Sequence, residues 1–403
     1  MGQVTSTRLA PRADGRAAAT RAPLLTRTFV TVAVAELSYF TADGVLLPAL
    51  PRYVEGPLGA GNVAVGIVIG AFSVSAFFLR PWAGLLSDRR GRRIVMVAGA
   101  SVFALSVLGY LAATSVAVLV AMRLLTGIGD ALFFVAALSA NVDLAPEDRR
   151  GEAMSFASLS LYVGIGAGPF LGEAVIAWGG FETAWLVSIA LAVVAVGLTL
   201  RLPPMRPEQA EIASERHRLV HRAGILPGAV LFATIWGMGG FLAFVPLYAL
   251  DLGMGGASLV LGLFAGLVVL IRSVGATIPD RIGPGRAVRI SLVLTSMGLA
   301  LIGVWGTPAG LVAGTSLFGV GMALFTPALF TIAVTGIPTN ERGAVMGTTS
   351  AFLDLAFGFG PATLGFVAAA VGRGGIFLAG SAVSAVGLAV VASTRLGKPS
   401  VPR

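Results

Sequence analysis

Eight ionisable side chains stand inside long apolar stretches of this 403-residue sequence: Glu36, Asp43, Arg80, Arg123, Asp130, Glu173, Arg272 and Asp354. In a hydrocarbon setting each costs roughly 2.5 kcal/mol or more, so such residues tend to be retained for function. Their spacing points to one chemistry. Glu36 and Asp43 are seven residues apart, which on a helix places them on one face about 10 Å apart along the axis. Arg123 and Asp130 repeat that spacing. Burial favours the neutral acid and a nearby cation favours the carboxylate, so an acid beside Arg123 would alternate between ion pairing and carrying a proton. Proton and substrate would then compete for one group. Glu36 and Asp43 are therefore the expected proton or cation-substrate residues, with Arg123 as their modulating charge and Asp130 next. Asp354 is a deeper acid with no partner assignable from sequence. A structural ion pair between the two helices is the alternative reading. Glu173 falls near the end of its stretch, where it would meet water.

Other chemistries lack their residues. Cysteine is absent, and the two histidines, His217 and His221, share one polar stretch, so no metal centre, cysteine nucleophile or cofactor is expected. Charged residues make up 12% of the chain and hydrophobic residues 56%. A soluble protein carries roughly 25% charged residues, so most of this surface must face something other than water. That excludes an ordinary soluble enzyme, and the high hydrophobicity excludes a disordered chain.

The elements that position these groups are transmembrane helices, each needing about 20 mostly apolar residues. Twelve stretches qualify: Thr28 to Leu50, Asn62 to Leu86, Ile94 to Ala113, Val116 to Val142, Ala153 to Trp178, Thr183 to Leu200, Ile225 to Leu250, Ala257 to Ile278, Ala287 to Trp305, Ala309 to Val334, Val345 to Val371 and Gly375 to Ala392. Backbone groups inside a bilayer must bond within their own segment, so these are helices. If they simply alternate in direction, the arginines of the amino-terminal tail, those at 89–93, 149–150, 201–222, 281–289 and 342, and the carboxy-terminal Arg395, Lys398 and Arg403 fall on one side; the other receives only Arg52 and Arg373. Positive charge marks the cytoplasm, so both termini are expected inside. The net charge of +9 is scattered among hairpin loops, which argues against a nucleic-acid partner.

The sequence also repeats itself. At an offset of 192, Gly70, Arg80, Asp88, Arg89 and Gly91 match Gly262, Arg272, Asp280, Arg281 and Gly283. In the same register Gly127, Gly129, Ala131, Leu132 and Phe133 match Gly319, Gly321, Ala323, Leu324 and Phe325, and Gly168-Pro169 matches Gly360-Pro361. The expected organisation is a tail (1–27), a six-helix bundle (28–200), a charged linker (201–224), a second bundle (225–394) and a tail (395–403). Parallel repeats of this kind enclose a cavity near the midplane that is exposed to alternate sides. The repeat sorts the buried charges. Arg80 and Arg272 are shared, which reads as scaffold or gate. Arg123 aligns with Thr315, Asp130 with Met322 and Asp354 with Tyr162, so specific chemistry is expected at these unshared positions.

The run Gly84-Leu85-Leu86-Ser87-Asp88-Arg89-Arg90-Gly91-Arg92-Arg93 resembles the signature loop of the major facilitator superfamily. Arg123 with Gly127 and Gly129 is similar to a signature of its proton-coupled members. Gly164-x-x-x-Gly168-Pro169-x-x-Gly172 resembles the antiporter motif of its drug exporters, although Glu173 replaces the final glycine and Ser155 the upstream one. The twelve-helix drug–proton antiporter branch fits best. The resemblance implies an all-α membrane protein of two pseudo-symmetric six-helix bundles. It also implies a cytoplasmic gate in which Asp88 meets the amino-terminus of helix 11, with Arg89, Gly91 and Arg92 beside it and Asp280 and Arg281 as its mirror. Tyr39, Phe40, Phe133, Phe134, Trp236, Phe241, Phe244 and Phe352 are candidates for an apolar cavity wall.

The resulting expectation is a monomeric transporter in the inner cell membrane that exports a small hydrophobic or cationic compound in exchange for protons. An importer or a sugar or metabolite permease on the same scaffold is the nearest alternative, and a membrane-embedded enzyme or a sensor a distant one. No nucleotide-binding P-loop is present, which excludes ATP-driven pumping by this chain alone.

Overall fold

A computed structural model describes residues 24–146, 149–205, 221–274, 281–338 and 341–394. The tails at 1–23 and 395–403, most of the linker (206–220), Asp280 of the mirrored gate loop and the side chain of Ser155 lie outside the described residues.

All regular secondary structure among the described residues is helical, with ten helices long and apolar enough to cross a membrane. The first four are α1 (Arg27–Glu55), α2 (Asn62–Arg90), α3 (Arg92–Tyr110) and α4 (Val116–Leu144). A single run of 51 residues, Arg150–Leu200, follows. At 1.5 Å per residue it would be about 76 Å long, well over twice the ~30 Å hydrocarbon core. It is not one straight helix. Gly180 breaks it with φ 75° and ψ −170°, a region of backbone space essentially reserved for glycine. The two arms, α5 (150–179) and α6 (181–200), are the fifth and sixth expected spans. Then come α7 (Arg222–Asp251), α8 (Ser258–Val274), α9 (Pro284–Val304), α10 (Pro308–Val334), α11 (Arg342–Val371) and α12 (Arg373–Ser393). The chain is a multi-pass membrane protein.

Packing follows the internal repeat. In the first six helices α1 lies on α5, α3 on α4 and α2 on α4; in the second six α7 lies on α11, α9 on α10 and α8 on α10. The α1–α5 contact explains the glycines of the helix-5 motif. A Cβ on Gly168 would come within 2.5 Å of Gly44 Cα, and one on Gly164 within 2.7 Å of Phe40 Cβ. The two backbones touch, which only small residues permit. Gly91, at φ 93°, turns the chain from α2 into α3, and Gly283, its repeat mate, has φ 85°.

The two sets of six meet through α1, α2 and α5 on one side and α7, α8 and α11 on the other. Expected boundaries shift by a few residues. α1 runs on through Pro48 and Pro51 to Glu55, and α7 starts at Arg222. In the described end of the amino-terminal tail Leu24 is buried with Phe29, Ala145 and Ala153, while Leu25, Thr26 and Arg27 are exposed.

Candidate functional site

The centre of the charged site is Arg80 of α2, a residue that the repeat reads as scaffold or gate. Its Nη2 lies 3.5 Å from Asp130 Oδ2 on α4 and 3.2 Å from Asp354 Oδ1 on α11. One guanidinium thus joins an acid of its own half to an acid of the other. Its flat face rests on the Phe134 ring, 5.0 Å from the centroid. Asp354, without an assignable partner in sequence, has one here.

Asp43 is within electrostatic reach of Arg123 and Asp130 but makes no direct ion pair among the described residues. Arg123 is 4% exposed. Its Nε donates to the carbonyl of Val68 at 3.3 Å, its guanidinium lies 4.8 Å from the Phe72 centroid, and Nη1 is buried without a hydrogen-bond partner. The Tyr39 hydroxyl is also buried and unpartnered, and it feels the charges of Asp43, Asp130 and Arg123. Three carboxylates (Asp43, Asp130 and Asp354) therefore share two guanidiniums (Arg80 and Arg123). Fully ionised, the set carries one net negative charge, which a single proton or a cationic substrate group would neutralise.

Glu36, expected on the same face as Asp43, belongs to a different environment. It is 3% exposed, and its Oε1 accepts from Asn141 Nδ2 at 2.7 Å. Its Oε2 and Asn141 Oδ1 are both buried without partners. Asn141 carries no charge and so does not stand out among the ionisable groups of the apolar stretches. Its position on α4, eleven residues after Asp130, was the available signal.

Glu173 does not simply meet water. It reaches across to α8, where Oε1 accepts from the Ala257 N–H and Oε2 from the Ser258 N–H at 3.1 Å. A carboxylate there caps free amides and complements the positive end of the helix. On the same end of the molecule Arg373 bonds Asp251 Oδ1 at 2.7 Å, Asn62 Oδ1 at 3.1 Å and Glu55. These bonds tie the two halves together at the end opposite the arginine-rich loops.

Toward the arginine-rich end the cross-half contacts run out. Asp88, expected against the amino-terminus of α11, instead pairs with Arg92 in its own half. Arg92 also donates to Asp143 Oδ2 at 2.9 Å and to Ser87 Oγ at 3.1 Å. Arg89 and Arg281 are exposed. The last polar or π contacts between halves on the two seams are Arg80–Asp354 (α2/α11) and Arg272–Tyr162 (α8/α5), the latter with the guanidinium 4.7 Å from the ring centroid. The molecule is closed at the Glu173 end and unbonded between halves at the Asp88 end, among the described residues.

Most of the expected cavity wall is core. Tyr39 stacks on Phe133 at 4.0 Å, with Phe40 edge-on to both. Phe241 packs with Phe264, Phe318 and Phe377, and both Phe241 and Phe244 are fully buried. Trp236 donates its indole N–H to Thr363 at 2.9 Å, and Phe352 covers Gly228. Of the expected wall, Phe134 is the ring that lies directly under a guanidinium, that of Arg80. A cavity of about 420 Å³ opens on the arginine-rich face beside Arg90, Arg93, Ile94 and Leu200; none of the eight intramembrane charges lines it. No cluster of His, Asp or Glu among the described residues is arranged to hold a metal ion.

The sequence model described as Major Facilitator Superfamily matches residues 32–361 and 279–402. An uncharacterised MFS-type transporter of Pseudomonas aeruginosa is 31% identical over 396 residues, covering 90% of this chain and 93% of the relative. The uncharacterised MFS-type transporter YhhS of Escherichia coli is 28% identical over 371 residues, covering 89% and 90%. Among solved structures, the nucleoside transporter NupG superposes with a TM-score of 0.75 at 15% identity, over 91% of this chain and 99% of that one. The human organic anion transporter MFSD10 does so with 0.66 at 22%, over 91% and 99%. At these identities the structural likeness speaks for the fold alone.

Proposed function

Because this chain belongs to the major facilitator superfamily, we propose that it is a secondary active transporter of the drug–proton antiporter branch, exporting a small hydrophobic or cationic compound in exchange for protons. The proposed setting is the inner cell membrane, with the arginine-rich end and both termini in the cytoplasm and the Glu173 end outside. Membership of that family makes it a membrane transporter of the MFS type.

The observation that carries the finer reading is the excess acid around Arg80. Asp43, Asp130 and Asp354 compete for Arg80 and Arg123, so one of the three needs a proton or a substrate cation. A proton entering this set displaces a cationic cargo, and cargo entering displaces the proton. Asp354 comes from the other half, so occupancy also alters how strongly the halves hold together. That link between binding and conformation is what alternating access requires. Asp88, Arg89, Gly91 and Arg92, with Arg281, are the proposed cytoplasmic gate, which is unlatched in this conformation.

The test is proton-driven efflux from vesicles. Asp43→Asn is expected to abolish it while the protein still inserts and folds. Unchanged proton-coupled flux in that variant removes Asp43 from the mechanism, and uptake rather than efflux under an imposed proton gradient reverses the proposed direction.

A further inference from the structure

The internal repeat permits a comparison within one chain. Arg80 and Arg272 occupy equivalent positions at the 192-residue offset, and each reaches across a seam to an equivalent residue, Asp354 or Tyr162. The surroundings differ. Arg80 is matched by two carboxylates. At Arg272 those positions are held by Tyr162 and Met322. Arg272 has no ion pair among the described residues, and its Nε, like that of Arg80, is buried without a hydrogen-bond partner. The Tyr162 ring holds the guanidinium by its face but leaves its positive charge uncancelled and its in-plane donors free. A membrane-embedded cation of this kind lies on a substrate path far more often than in inert packing.

We infer that Arg272, steadied by Tyr162, docks an acidic group on the cargo, a carboxylate or a similar oxyanion. The planar fork of a guanidinium matches such a group with two parallel hydrogen bonds. This rests on the reading of the chain as an exporter and narrows its cargo: the compound carries an acid in addition to its apolar or basic part. The acidic set around Arg80 takes the proton or the basic group, and Arg272 takes the acid, so the two seams recognise opposite charges. Tyr162 is a positioning residue that presents the guanidinium edge-outward.

The experiment uses the full chain in lipid nanodiscs and two matched probes, 4-(aminomethyl)benzoate and its methyl ester, which differ by the one methyl group that removes the carboxylate charge. Wild type is expected to bind the acid about tenfold more tightly than the ester, as one charge-assisted contact provides. In Arg272→Gln the acid should fall to the affinity of the ester; Arg272→Lys, which keeps the charge without the fork, should retain part of the preference and serves as the folding control. Equal affinity for acid and ester in wild type, including no binding of either, overturns the inference, as does a preference that survives Arg272→Gln. Proton-driven efflux of both probes from proteoliposomes, run in parallel, reads the exporter proposal separately from binding.

Discussion

Asp354→Asn tests whether the Arg80 ion pair biases the two end states of the molecule. The substitution removes one of two acids from Arg80 and keeps the side-chain volume. The pair spans 3.2 Å, with side-chain exposures of 26% for Arg80 and 8% for Asp354. Exposed pairs are worth under about 1 kcal/mol and fully buried ones about 3–5 kcal/mol when broken; an intermediate site with Asp130 still present falls at about 1–3 kcal/mol. If the pair exists only while the Glu173 end is closed, its loss shifts the ratio of the two conformations by about 5- to 150-fold. The chain has no cysteine, so a spin-label pair can be introduced without background. Arg201→Cys and Ser393→Cys are exposed repeat mates at the arginine-rich ends of α6 and α12. Double electron–electron resonance should show the shorter inter-half distance gaining population in Asp354→Asn. A distribution identical to that of the unsubstituted pair would refute the coupling between this ion pair and conformation.

Gly168→Ala places a Cβ 2.5 Å from Gly44 Cα, so α1 and α5 must separate; overpacking of this kind costs about 1–3 kcal/mol, to be read as a lower unfolding temperature in detergent. Gly180→Ala forces a Cβ into backbone space that excludes it, at about 1–3 kcal/mol, and should lower the same temperature while leaving labelling between the halves unchanged. Glu173→Gln retains one acceptor for the α8 amides and loses the charge; with about 0.5–2 kcal/mol lost from the cap, a cysteine placed in α8 near Ser258 should react faster with an impermeant thiol reagent. Reaction rates indistinguishable from the parent would relegate Glu173 to local packing.

The scaffold was legible because hydrocarbon imposes a simple rule on long stretches. Spans 5 and 6 are separated in the sequence by the Gly-Gly-Phe-Glu break at 179–182, although the chain turns there with a single non-helical residue, Gly180. The repeat register, read from matched glycines, arginines and a few neighbouring residues, recurs in helix packing. The site was less legible. Arg80 was set aside because its position is shared, yet its partners Asp130 and Asp354 are unshared; identity at one aligned position says nothing about who faces it across a seam. Glu36 and Asp43 share a helical face but point into different neighbours, Asn141 and the Arg80–Arg123 set. Glu173 stood out as a departure from a glycine motif, and its use as a cap for α8 depends on a helix 84 residues further along the chain. The aromatics gave no direction, because the same rings suit a lumen, a core or lipid.

The Arg373 junction has a consequence for how the molecule resets. Its bonds go to Glu55 and Asn62 in one half and to Asp251 in its own. In the alternating access proposed above, parting the halves at that end would leave Arg373 paired with Asp251 rather than as a bare cation, while Glu55, already 45% exposed, would pass into water. Neither departing surface holds a lone buried charge that would resist separation or drive a collapse into some other pairing. The fastening can be undone and remade in every cycle with the same partners, much as a snap whose stud stays sewn to one side of the cloth.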